Sequence, residues 1–107
     1  MSLASTPEVI AERSLICVRR DGERTAVTLR IAKPTPADNG DWTCRVEAAG
    51  LLDGAKDIYG IDSFQALFLG QALLKSLVRH EIERGNSFFA FEPEEPVGFE
   101  AIFGKDI

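Results

Sequence analysis

The stretch YGIDSFQALFLGQALLKSL, from Tyr59 to Leu77, decides the fold because a strand-like chain turns into a helix within it. From Asp62 to about Arg84 the apolar residues recur every three to four positions, which is the spacing of one helix face. Asp62 is placed to accept hydrogen bonds from the first turn, and Gln65 is placed to reach back, as in a capping box. The sequence predicts a long amphipathic helix with an apolar arc of Ala66, Leu67, Gly70, Leu73, Leu74, Leu77 and Val78.

Two apolar residues of this helix lie outside the arc. Phe68 and Leu69 fall toward the polar side in its first half. A large apolar side chain left in water costs roughly 1.5 to 3 kcal/mol relative to a buried one. We therefore expect something other than a sheet to cover these two residues.

Upstream of the helix the chain has the pattern of paired strands. Val9–Arg20 and Thr25–Ala32 are rich in aliphatic and β-branched residues and flank Asp21-Gly22, a strong signal for a hairpin turn. A third run, Trp42–Ala48, alternates apolar and polar residues, as in a half-buried antiparallel strand. The runs between these strands and the helix, 33–41 and 50–60, contain prolines or glycines and are expected to be a loop and a crossing to the helix.

These elements predict an α+β fold. We expect an antiparallel meander of three to four strands with one long helix packed on one face. The length of 107 residues is typical of a single domain, 1–107. Residues 1–7 are expected to be a disordered N-terminus.

The C-terminal segment, 86–107, combines aromatic and acidic residues. It carries five of the seven phenylalanines of the chain, and burial of these rings requires the segment to pack on the domain. Three paths remain open: a short strand near Ser87 to Phe91, a cover over Phe68 and Leu69, or a crossing to a second subunit.

Composition excludes several classes of function. The net charge of −5 opposes binding to the phosphates of nucleic acid. No run of about 18 to 20 apolar residues is present to span a membrane, and no signal segment is seen at the N-terminus, so a cytoplasmic protein is expected. Cys17 and Cys44 both fall in strand-like runs and are predicted to be reduced thiols.

Catalytic and metal-binding patterns are sparse. His80 is the only histidine, and it falls near the end of the helix, on its polar side. One histidine with two separated cysteines gives none of the usual zinc spacings. The sequence predicts no enzyme, no cofactor and no metal site. Trp42, Asp62 and Gln65 are candidates for a ligand pocket between strand and helix start. The alternative is that Trp42 is a core anchor and that the other two residues cap the helix.

Gly60-Ile61-Asp62-Ser63-Phe64 resembles the Gly-x-Asp-Ser-Leu attachment motif of acyl and peptidyl carrier proteins. This resemblance implies a phosphopantetheine arm on Ser63. Carrier proteins are helical bundles, whereas the residues before Ser63 have the pattern of strands and loops. The structural explanation of the same residues is a capped helix start.

A second resemblance covers roughly residues 12 to 84. The D-W-x-C strand beginning at Asp41, the Gly50-Leu51 pair and the G-I-D-x-x-Q-A-L helix start beginning at Gly60 are similar to a widespread family of small bacterial proteins of uncharacterised function. The resemblance implies a sheet-plus-helix domain and no particular activity.

We therefore expect a small cytosolic binding or interaction module, with an immunity-like or accessory role. Its partner is an unknown protein or a second copy in a homodimer. The expected interaction surface consists of Phe68, Leu69, Phe88, Phe89 and Phe91. The alternative function is a phosphopantetheine carrier modified at Ser63.

Overall fold

The computed structural model describes residues 7–91 and 94–105. Seven strands and two helices follow each other in the described residues. They are β1 (Val9–Val18), β2 (Arg24–Ala32), β3 (Thr35–Pro36), β4 (Trp42–Ala49), β5 (Lys56–Gly60), α1 (Ser63–Glu83), β6 (Ser87–Phe89), β7 (Pro96–Val97) and α2 (Phe99–Phe103).

All strand pairs in the described residues are antiparallel and belong to one sheet. The order across the sheet is β5, β4, β2, β1, β6 and β7, and β3 pairs with the first two residues of β4. The β1–β2 hairpin turns at Asp21-Gly22 as predicted, with the amide of Arg19 donating to the carbonyl of Glu23 at 2.8 Å. Gly22 supplies the positive φ of 89° that this turn requires.

The α+β class and the long helix are confirmed, whereas the predicted count of three to four strands is too low. The crossing expected at 50–60 contains β5, and the loop expected at 33–41 contains the two-residue strand β3. Both are short and carry little periodicity. The C-terminal segment adds β6 and β7 and takes the first of the three open paths, because β6 pairs with β1. Of the segment expected to be disordered, only Pro7 lies within the described residues.

The predicted cap starts α1. The Asp62 carboxylate accepts a hydrogen bond from the Gln65 amide at 2.8 Å, and the Gln65 side chain accepts one from the Ile61 amide at 2.8 Å. Gly60 lies directly beneath this turn, where a Cβ atom would come within 2.4 Å of the Ala66 amide nitrogen. Neither described helix is long and apolar enough to cross a membrane.

The core lies between α1 and the inner face of the sheet. Helix α1 lies close to β4 at Gly70, where an added Cβ would be 3.0 Å from both Cys44 Sγ and Val46 Cγ1. Both cysteines are fully buried free thiols, as predicted for the reduced form. The buried core residues are Leu15, Cys17, Val27, Leu29, Cys44, Val46, Ala48, Ala66, Leu74, Val78 and Phe88.

A buried polar cluster lies at the C-terminal end of α1. Glu81 is 7% exposed, and its carboxylate accepts hydrogen bonds from Arg19 Nη1 and from Asn86 Nδ2, both at 3.0 Å. The Asn86 side chain in turn accepts from the Arg20 amide at 3.0 Å. The cluster therefore ties the end of α1 to the hairpin after β1.

Candidate functional site

Three large apolar side chains lie exposed together at the start of α1. Ile61, Phe64 and Phe68, the α1 patch, are 73%, 77% and 63% exposed. They line a shallow groove of about 350 Å³ together with Asp62 and Gln65. The largest apolar patch on the surface of a protein often has a function in binding.

Helical spacing explains why the patch faces outward. Phe64 and Phe68 are four residues apart and therefore share one side of the helix. Ala66 and Gly70 lie on the opposite side and are buried against the sheet. The residues that cap the helix, Asp62 and Gln65, use their side chains for backbone hydrogen bonds at the edge of the groove.

The predicted interaction surface is only partly exposed. Phe68 and Leu69 are 63% and 41% exposed, and Phe91 is 46% exposed. The prediction that Phe88 belongs to this surface is wrong, because Phe88 is 2% exposed and belongs to the core. Phe89, its neighbour in β6, is half-buried. The tail also leaves Phe68 and Leu69 uncovered in the described residues.

The predicted pocket residues lie near one another in the fold. Trp42 is half-buried, packs against the core and pairs with Gly60 across β4 and β5. Asp62 and Gln65 follow two and five residues after Gly60 and make the capping box. A ligand pocket shared by Trp42, Asp62 and Gln65 stays a prediction.

A second concave feature, the α2 cleft, lies between the sheet, α1 and α2. It has a volume of about 240 Å³. Strands β1 and β2 form its floor, α1 contributes Gln71 and Leu74, and α2 forms its roof with Ile102 and Phe103. Arg13 lies at this cleft and donates from Nη2 to the carbonyl of Ala101 at 3.4 Å.

The comparison with protein families gives one result. A family described as a domain of unknown function, DUF6968, matches residues 11–100. The chain belongs to this family. No curated protein and no solved structure matches the chain. Membership in DUF6968 agrees with the expected uncharacterised family and supplies no activity. The matched range contains the whole α1 patch, whereas most of α2 lies beyond it.

Ser63 is the first residue of α1 in this DUF6968 domain and is exposed. It follows five strands, so the part of the chain that precedes it differs from the helical bundle of a carrier protein. Modification of Ser63 stays a prediction. The intact mass after co-expression with a phosphopantetheinyl transferase tests it, because an attached arm adds its own mass.

The other reactive groups lie in structural positions. His80 is exposed in the last turn of α1. Burial raises the pKa of both thiols, and Cys44 Sγ donates to the Ala32 carbonyl at 3.4 Å. Within residues 7–91 and 94–105, no group of three or more histidine, cysteine or acidic side chains is placed to hold a metal ion.

Sequence reasoning missed two of the three patch residues in the DUF6968 domain. The signal for Phe64 was its spacing of four from Phe68, which places both rings on one helix side. Ile61 gives no periodic signal because it precedes the helix. Its exposure follows from the cap, which fixes its backbone at the edge of the groove.

Proposed function

We propose that this DUF6968 domain is a non-enzymatic binding module that pairs with a second copy of itself through the α1 patch. The observation that supports the proposal is the exposure of Ile61, Phe64 and Phe68 side by side on one groove. All three would gain from burial, since apolar area removed from water contributes about 25 cal/mol per Å².

The patch suits pairing with its own copy. Asp62 is the only charged residue among the described residues that line the groove, and its carboxylate accepts a hydrogen bond from the Gln65 amide. Asp62 therefore keeps this hydrogen bond when two copies bring their rings together. In an antiparallel arrangement of two α1 helices, Phe64 of one copy faces Phe68 of the other, as a twofold interface requires.

The size of the patch predicts a modest affinity. The two rings and Ile61 expose about 400 Å² in each copy, taking ordinary side-chain areas. Two copies would together bury about 800 Å² from these residues, short of the roughly 1,200 Å² at the lower end of stable specific interfaces. Flanking residues must supply the rest, and those that line the adjoining groove with Phe68 are Gln71, Ala72, Lys75 and Arg79.

Sedimentation at several protein concentrations tests the proposal. The wild-type chain should associate as its concentration rises, and Phe64→Ser combined with Phe68→Ser should stay monomeric. Association should strengthen with added salt, because two chains of charge −5 repel each other and salt screens that repulsion.

Ile82→Ser is the matched control. Ile82 is another exposed apolar residue of α1, but it lies near the opposite end of the helix, about 27 Å from Phe64 at 1.5 Å per residue. Ile82→Ser should associate like the wild type. A wild-type chain that stays monomeric at every concentration would overturn the proposal, and so would a double variant that still pairs. An immunity-like or accessory role stays a prediction.

A further inference from the structure

A single helix does not cover the whole inner face of this sheet. Helix α1 packs mainly on β4 and β5. The inner side of β1 and β2 near Ala11, Arg13 and Leu29 extends beyond it, and α2 lies over that part. The α2 cleft is the space that remains between the two helices and the sheet.

The floor and the roof of the cleft are mostly apolar, and a few polar side chains also line it. The apolar residues are Leu29, Ile31, Leu74, Ile102 and Phe103. Gln71 and Arg13 provide the polar side chains. A mostly apolar concave surface with a few polar groups is typical of sites for small molecules.

Arg13 has no carboxylate partner within residues 7–91 and 94–105. Its hydrogen bond to Ala101 uses one of the five N–H donors of a guanidinium group. Five other arginines of the described chain do meet carboxylates: Arg19, Arg24, Arg30, Arg45 and Arg84. Arg13 therefore differs from them because it lines a cleft without a carboxylate partner in the described residues.

The acidic neighbour of Arg13 is already neutralised. Glu12 accepts a hydrogen bond from Arg30 Nε at 2.6 Å, and this pair lies on the face of the sheet opposite the cleft, because successive side chains of a strand point to opposite faces. The charge available to a ligand in the cleft is therefore the positive charge of Arg13.

We propose that the α2 cleft binds a small amphipathic carboxylate. Its apolar chain lies between Leu29 and Phe103, and its carboxylate pairs with Arg13. Guanidinium and carboxylate groups match in a geometry with two parallel hydrogen bonds. None of the three residues of the α1 patch lines this cleft, and ligand binding there does not require self-association.

Variants of Arg13 should keep the roof of the cleft in place, although they lose the hydrogen bond to Ala101. Arg79 lies over the Phe99 ring, 4.5 Å from its centre, and the rings of Phe99 and Phe103 are 5.0 Å apart. These contacts join α2 to α1 without Arg13. Removal of the Arg13 charge therefore tests ligand binding rather than the folding of the tail.

Titration with octanoate, followed by two-dimensional amide NMR of the full chain, tests the proposal. We expect saturable shifts at residues 11–13 and 101–103. Octan-1-ol, which has the same chain without the charge, should bind roughly tenfold or more weakly, the usual value of a charged hydrogen bond. Arg13→Gln should reduce the affinity for octanoate to the level of octan-1-ol.

Two further variants control for indirect effects. Arg20→Gln removes another exposed arginine, one that lies outside the cleft, and should leave octanoate binding unchanged. Ala11→Phe places a ring in the cleft and should block both octanoate and octan-1-ol. The proposal fails if octanoate gives no saturable shifts at the cleft, or if Arg13→Gln binds octanoate as tightly as the wild type.

Discussion

The first half of α1 carries its smallest side chains on the inner face and its largest on the outer face. Ala66 and Gly70 meet the sheet and are buried. Phe64 and Phe68 point away from it and are 77% and 63% exposed. The two faces belong to the same two turns of helix and share the same cap at Asp62.

The packing of the helix explains the inner face and leaves the outer face unexplained. Cys44 and Val46 approach Gly70 so closely that an added Cβ would be 3.0 Å away. Small residues are therefore required there by the fold. The rings of Phe64 and Phe68 lie outside the buried core, so packing within the described residues gives no reason for them. The proposed self-association would bury them.

The largest effect is expected from a substitution of Gly60, the last residue of β5, which lies against the inner face of α1 at Ala66. In Gly60→Ala the new Cβ would lie 2.4 Å from the Ala66 nitrogen and 2.8 Å from its Cα, and backbone atoms cannot rotate away. The start of α1 must then shift. We expect a loss of about 3 kcal/mol in the free energy of unfolding, at the upper end of typical overpacking.

Urea unfolding measures this loss, and Gly98→Ala is the control. Gly98 also has a negative φ, and nothing lies within 4 Å of an added Cβ there. Its substitution should therefore change the stability little. Equal stabilities of the two variants would show that α1 does not lie as close to β5 as described.

A smaller effect is expected at the cap that both faces share. Asp62→Ala removes the acceptor for the Gln65 amide and should cost about 1 kcal/mol, the usual value of an N-cap side chain. Ser63→Ala should cost much less, because the described residues offer its side chain no hydrogen bond and it is exposed. Thermal unfolding of both variants separates a capping role from a general effect at the helix start. Similar losses in the two would argue against the cap.

The parts of the fold that depend on local sequence were predicted correctly. The cap, the apolar arc of α1 and the β1–β2 turn each follow from residues within a few positions of one another. Strand β5 escaped prediction because Lys56–Gly60 has little periodicity and its pairing with β4 decides its structure. Phe88 was misassigned for the same reason, because only its pairing with Cys17 in β1 shows which way it points.

The candidate sites were predictable to different degrees. Phe68 could be recognised from helical periodicity alone. The α2 cleft could not, because it forms where Arg13 of β1 meets Ala101 of α2, 88 residues further along the chain. In the sequence, nothing distinguishes Arg13 from the other arginines. Only the packing of the tail shows that this arginine borders an apolar space.

The smallest effect concerns the thiols beneath α1 and appears only at high pH. Burial is the main cause that raises the pKa of Cys17 and Cys44 above the ordinary value of 9.0. Well below pH 9 both thiols are protonated in the folded and the unfolded chain, so they add no pH dependence there. As the pH rises above 9, the unfolded chain loses these protons first, and the free energy of unfolding should fall.

Urea unfolding at pH 8 and pH 10 should show a smaller fall for Cys17→Ala combined with Cys44→Ala than for the wild type. The exposed patch contains no thiol, so Phe64→Ser combined with Phe68→Ser should keep the full fall. An equal fall in the cysteine variant would mean that these thiols ionise alike in the folded and unfolded chains, and that the inner face is more open to water than its packing indicates.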